Sequence, residues 1–110
     1  MTTTEPRREP GTDVSPHAVA VYRVLLDVYR HGYAHGVTRT GETTRWLTNT
    51  DIETALAGHH PPVTGRTIRK ATARLTDVCV IRRTFVHPHY RYQVATALDG
   101  RASAYRERLR

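Results

Sequence analysis

From Pro16 to about Tyr33 the apolar residues Ala18, Val21, Tyr22, Leu25, Val28 and Tyr29 return at helical spacing and share one face. Ser15 is placed to cap that helix and Pro16 suits its first position. Val19, Val24 and Leu26 fall outside the stripe, so this helix is apolar over more of its circumference than a solvent-covered monomer needs, and a second chain or the C-terminal segment is expected to cover the surplus. After Gly32 and Gly36, residues 37–45 are poor in apolar side chains and read as a loop, and Trp46-Leu47-Thr48 as a short strand. Thr50-Asp51-Ile52-Glu53 has the spacing of a capping box opening a helix through Ala57, stopped by Gly58. Thr64 then caps a helix over 64–77 whose buried stripe is Ile68, Ala71, Thr72 and Leu75. Two β-rich runs, Val80 to Val86 and Tyr90 to Ala95, are separated by His87-Pro88-His89 and predict a hairpin over 80–95. Over 98–110, Leu98, Ala102, Tyr105 and Leu109 recur at helical spacing with Asp99 as a cap, a segment too short to be stable undocked.

The polar residues sharpen the picture. In the helix over 64–77, Arg66, Arg69, Lys70 and Arg74 lie opposite the stripe, with small Ala73 in their midst and Thr67 at the flank near the start. Arg82, Arg83 and Arg91 ride on the hairpin. Tyr90 and Tyr92 alternate with Arg91, so the tyrosines turn one way and the arginine the other. Tyr92 is expected in the core, and Tyr90, nearer the tip, either packs or touches phosphate.

Net charge is +7 over 110 residues, and it is uneven. Residues 1–65 hold 6 arginines against 7 acids, whereas 66–110 hold 11 Arg plus Lys against 3 acids, giving −1 and +8. A polyanion is the natural partner of such a half, because each phosphate neutralised releases counterions. Arginine also forks onto phosphate and guanine edges with two bonds at once. Residues 1–14 are Thr, Pro, Arg and Glu without apolar periodicity and read as a flexible arm, in which Arg7 and Arg8 are assigned no site. The remainder reads as one small domain over 15–97 followed by the C-terminal helix. Lone Cys79 excludes an internal disulfide, and no run approaches the length of a membrane span or secretory signal, so the expected compartment is the cytoplasm, with the nucleoid.

Helix, short strand, helix, helix and basic hairpin, with Arg74-Leu75-Thr76-Asp77-Val78-Cys79-Val80-Ile81-Arg82-Arg83 as the passage from the arginine helix into the hairpin, resembles the winged helix-turn-helix family over about residues 16–97. The resemblance implies a mainly α fold: a three-helix core, a short strand plus a two-stranded wing, and a C-terminal helix. It implies double-stranded DNA as partner, with 64–77 in the major groove and Tyr90, Arg91 and the wing tip on flanking phosphate or minor groove. Such proteins are most often transcription regulators. The candidate nucleic-acid contacts are therefore Arg66, Thr67, Arg69, Lys70, Arg74, Arg82, Arg83, Tyr90 and Arg91. A homodimer through helix 16–33 and helix 99–110 is expected. The family has glycine where Cys79 stands, to leave the helix through a left-handed conformation, so here either the helix ends earlier or Cys79 is strained.

Other classes are open to the sequence. The same architecture serves as a protein-interaction module, a replication or plasmid-maintenance factor, or an RNA binder, although few aromatics are expected at the surface for stacking on single strands. His31 with His35, His59 with His60, and Cys79 with His87 and His89 are the arrangements a metal site would use, and none has structural-zinc spacing. No cofactor is expected. Without a glycine-rich phosphate loop, a nucleophile elbow or paired acids, no enzyme is expected either.

Overall fold

The structure, a computed structural model, describes residues 14–34, 37–38 and 45–109. The arm over 1–13, with Arg7 and Arg8, lies outside the described residues, as do His35, Gly36 and 39–44. Val14, read as the end of the arm, is half-buried against the core.

The first helix, α1 (Pro16–His31), begins as its sequence dictates: the Ser15 side chain accepts the Ala18 amide at 3.0 Å. It stops two residues earlier than the periodicity suggested, because Gly32 takes a left-handed φ of 70° and returns its amide to the Val28 carbonyl at 2.8 Å. Ala18, Val21, Tyr22, Leu25 and Val28 are buried as expected. Val24 is buried too, and Val19 and Leu26 rest half-buried against the core, so most of the surplus that pointed to a second chain is met by this one. The helix is central, touching every other helix as well as the first and last strands.

Tyr33 lies beyond α1, in β1 (Tyr33–Ala34), which pairs antiparallel with β2 (Val37–Thr38). Residues 37 and 38, expected in a loop, are therefore strand, and the burial of Ala34 and Val37 supplies the reason. The helix α2 (Asn49–Ala55) also departs from its expected start. Its capping box is Thr48 with Asp51, the Asp51 amide donating to Thr48 Oγ1 at 3.1 Å and the Thr48 amide to Asp51 Oδ2 at 3.0 Å. The box expected at Thr50 and Glu53 does not form; Thr50 is already helical, and its carbonyl accepts the Thr54 hydroxyl. The helix also ends earlier than expected, at Ala55 with Leu56 as its C-cap and not at Ala57, and Gly58, at φ 83°, lies in the turn that follows.

The next helix, α3 (Gly65–Asp77), matches its sequence reading closely. Thr64 Oγ1 accepts the Thr67 amide at 3.3 Å, and Ile68, Ala71, Thr72 and Leu75 are buried. The Thr72 hydroxyl lies 3.1 Å from Asn49 Oδ1, a polar clasp that fixes α3 against the start of α2. Val78 follows the helix, and Cys79 takes φ 64°. The Cys79 amide donates to the Thr76 carbonyl at 3.0 Å and the Val80 amide to the Leu75 carbonyl at 3.2 Å, a Schellman ending closed by buried Leu75 and Val80. Of the two alternatives for Cys79, the strained one holds: a side chain occupies a backbone region that favours glycine.

Strands β3 (Ile81–Val86) and β4 (His89–Val94) form the hairpin, paired from Ile81↔Val94 to Val86↔His89. The tip is His87-Pro88 alone, because His89 joins the ladder. Leu47 adds a bridge, exchanging amide–carbonyl bonds with Tyr92 at 2.9 and 2.7 Å, so the strand foreseen at 46–48 is a single bridged residue. Finally α4 (Gly100–Leu109) is capped by Asp99 Oδ1, which accepts the Ala102 amide at 2.8 Å, and buries Ala102, Tyr105 and Leu109. It docks on α1 within the same chain. The described chain is thus a small α/β domain of four helices with an antiparallel hairpin. No described helix is long and apolar enough to cross a membrane.

Candidate nucleic-acid interface

The outer face of α3 follows from its inner one. With Ile68, Ala71, Thr72 and Leu75 committed to the core, a rotation of about 100° per residue turns Arg66, Arg69, Lys70, Ala73 and Arg74 to solvent over an arc of about 140°, and all five are exposed. Among the described residues none of the four cations is in an ion pair. The charge of Arg66, Lys70 and Arg74 is therefore available to an outside anion, while Arg69 has the Glu53 carboxylate of α2 nearby, Glu53 Oε2 and Arg69 Nη1 lying 3.2 and 3.6 Å from the position a Gly65 Cβ would take; Ala73 gives the arc a low centre. Asp77 falls on the same arc, one turn past Ala73, and ends the cationic face with an exposed carboxylate. Thr67 is half-buried with its hydroxyl 3.1 Å from that of Thr64, so it belongs first to the helix cap.

This face extends onto neighbouring elements. Lys70, Arg74 and Thr67 line a groove with Ser15 and His17 from the start of α1 and Tyr105 from α4, floored by Ala18 and Ala71. Ser15, read in the sequence only as a helix cap, and His17 were not among the expected contacts. Their adjacency to Lys70 and Arg74 is tertiary and has no local pattern to announce it.

The hairpin distributes its charge differently. Directly opposed residues share a sheet face, and faces alternate along each strand. The register therefore places Ile81, Arg83 and Phe85 with Val94, Tyr92 and Tyr90 on one face, and Arg82, Thr84 and Val86 with Gln93, Arg91 and His89 on the other. The root of the first face, Ile81, Tyr92 and Val94, is core. Tyr92 and Arg91 thus point as the alternation predicted, but Arg82 and Arg91 lie on the face opposite Arg83 and Tyr90. The three hairpin arginines do not form one patch.

Two of them are held by rings. The Arg82 guanidinium carbon stands 5.2 Å from the centroid of Trp46, and that of Arg83 stands 4.4 Å from Tyr90. The Leu47–Tyr92 bridge puts Trp46 beside Gln93, so Arg82 reaches across Gln93 to its ring, which accounts for the burial of that glutamine on an otherwise exposed face. Gln93 Nε2 has no hydrogen-bond partner there. Arg91 is exposed and in no ion pair among the described residues.

Beyond the core the hairpin is unexpectedly apolar. Phe85, Val86 and Tyr90 are 55, 48 and 45% exposed. Phe85 meets Tyr90 edge to face at 5.1 Å and His87 at 6.2 Å. The expectation of few exposed aromatics is thus overturned at the hairpin, and Tyr33 in β1 is 54% exposed as well. A strand pattern does not tell whether the body extends beneath each residue, and in the hairpin it ends before Phe85. Among the described residues no three His, Cys, Asp or Glu side chains gather as metal ligands; His59 Nδ1 lies 3.0 Å from the Pro61 carbonyl oxygen, and the pair of His31 with His35 extends outside the described residues.

Compared with family models, curated proteins and solved structures, the chain matches none of them.

Proposed function

We propose that this chain is a winged helix-turn-helix protein that binds double-stranded DNA and regulates transcription, with α3 in the major groove and the β3–β4 hairpin as the wing. The observation that carries this reading is the exposed arc of Arg66, Arg69, Lys70 and Arg74, in no ion pair among the described residues, on a helix clasped to α2 and fixed by four buried residues. A helix fits the major groove of a duplex, arginine is the side chain that reads guanine there, and the small Ala73 lets the backbone approach. Lys70 and Arg74, continued by Ser15 and His17, suit a phosphate beside the groove. On the wing, Arg91 and Arg83 serve the backbone, and Arg82 does so from its perch on Trp46. The proposal assigns a binding role and no reaction, in the cytoplasm with the nucleoid.

Two copies meeting along α1 and α4 would present paired recognition helices to a palindrome. Because the chain covers most of its own surplus, we propose that this pairing is weak in solution and completed on DNA. Anisotropy titration of a labelled mixed-sequence duplex across salt concentrations tests the reading. With about six phosphates neutralised, the logarithm of affinity falls with the logarithm of salt at a slope of roughly −5. A flat profile, or no binding at low salt, contradicts it.

A further inference from the structure

Phe85 is the only phenylalanine in the chain, and it stands in water at the outer part of a hairpin. With Val86 and Tyr90 also exposed beside it, this is a contiguous apolar point in water, and such points mark surfaces that another molecule covers. The surroundings narrow the choice. Phe85 is braced by Tyr90 across the strands and flanked by His87, while the Tyr90 ring is itself covered by the Arg83 guanidinium at 4.4 Å. The result is a chain of props, Arg83 on Tyr90 on Phe85, which holds the ring out with a cation at its base. Arg91 adds charge on the other face. An apolar point beside cations that are in no ion pair among the described residues matches an occupant with an anionic rim and an apolar interior, which is the description of a stacked nucleic acid.

Resting on the duplex-binding reading above, we propose that Phe85 is a wedge that enters between adjacent base pairs from the minor groove and kinks the duplex. Apolar side chains inserted at a base step partly unstack it and bend the helix axis by roughly 20–90°, and the bend lets more of the protein reach the backbone. The braced geometry favours a wedge over a single-strand platform. A platform presents open ring faces on which successive bases lie, but one face of Tyr90 is taken by Arg83, and Phe85 meets Tyr90 at 69° and not in parallel. The wedge works best at flexible pyrimidine–purine steps, which unstack at least cost. It gives this chain a means of sequence preference at positions where no hydrogen bond reads a base.

The test uses the full chain and a duplex of about three helical turns carrying a donor and an acceptor dye at its ends, with 2-aminopurine placed at central TA or CA steps. Saturation with the wild-type protein is expected to raise energy transfer and 2-aminopurine fluorescence together. Phe85→Ala is expected to lose both signals while its affinity falls by less than about tenfold, and Phe85→Leu, which keeps an apolar wedge, to retain most of both. Since Phe85 is exposed, a thermal transition matching wild type confirms that the variants are folded. Binding without any change in energy transfer, or equal bending by Phe85→Ala, overturns the wedge while leaving duplex recognition standing. Failure of the wild type to bind any duplex overturns the reading beneath it as well. Tighter binding to a single strand of the same sequence, or a Phe85-dependent self-association seen by sedimentation without bending, also overturns the wedge and assigns the ring to that other occupant.

Discussion

α3 and the β3–β4 hairpin carry nearly equal shares of arginine, yet they arrange it in opposite ways. On the helix, residues three and four apart are neighbours, so Arg66, Arg69, Lys70 and Arg74 collect on one arc and leave the buried stripe untouched. On the strand, adjacent residues part to opposite faces, so Arg82 and Arg83 separate and each settles on a different ring. The helix therefore offers a dense cationic surface with no ion pair among the described residues. The hairpin offers single cations alternating with apolar side chains. On the proposed reading, one element holds and reads a polyanion and the other touches its edges and pushes into its stack.

Substitutions on the two faces of α3 should separate folding from binding most sharply. Leu75→Ala removes a fully buried side chain from the inner face and is expected to cost about 2–5 kcal/mol, a large part of the roughly 5–15 kcal/mol that holds a small domain together; chemical denaturation measures it. The outer-face pair Arg69→Ala with Arg74→Ala is expected to weaken duplex affinity at least about 30-fold, the product of about 1 kcal/mol or more from each arginine, while the thermal transition stays in place. If that pair unfolds the protein, or binds as wild type does, the division between the faces is wrong.

Between the two elements, Cys79→Gly releases the left-handed position after α3 and should raise stability by up to about 1 kcal/mol; a lower melting temperature would show that the cysteine is not strained. On the hairpin, Arg82→Ala removes the stacking on Trp46 and uncovers Gln93, for an expected loss of about 0.5–1 kcal/mol of stability, whereas Arg91→Ala should leave stability unchanged. Equal effects of the two would erase the distinction drawn between a perched and a free arginine. Smallest of all, Asp77→Asn removes the one carboxylate on the cationic arc from a helix C-terminus and should add about 0.3–1 kcal/mol to stability, with tighter duplex binding by a few-fold or less.

Sequence reading served these two regions unequally, for the same physical reason. A helix face is determined by spacing alone, so Thr64, the four buried positions and the four cations of α3 were all legible. Near α2 two overlapping Thr-x-x-acid registers compete, Thr48 with Asp51 and Thr50 with Glu53. The Leu47–Tyr92 bridge and the Asn49–Thr72 hydrogen bond accompany the earlier start, and both are long-range contacts that no local pattern contains. The strand at Val37-Thr38 depends likewise on a partner strand and on burial of Val37. On the hairpin, alternation correctly opposed Tyr92 and Arg91, but the reach of the core beneath the strands decides which apolar residue is bare, and Phe85 passed as an ordinary strand residue. Of the candidate contacts, those on α3 stand together as expected. Those on the hairpin are divided between its faces, and Ser15, His17 and Phe85 join the surface only through the fold.

The most direct trial of the account is the salt dependence of duplex affinity, measured side by side for wild type and for the chain carrying Lys70→Ala and Arg74→Ala, the two cations assigned to phosphate. Each phosphate-bound cation removed flattens the logarithmic slope by about one, so the slope should pass from roughly −5 to about −3. Identical slopes in the two proteins, or none in either, would contradict the claim that the outer face of α3 is seated on a phosphate backbone.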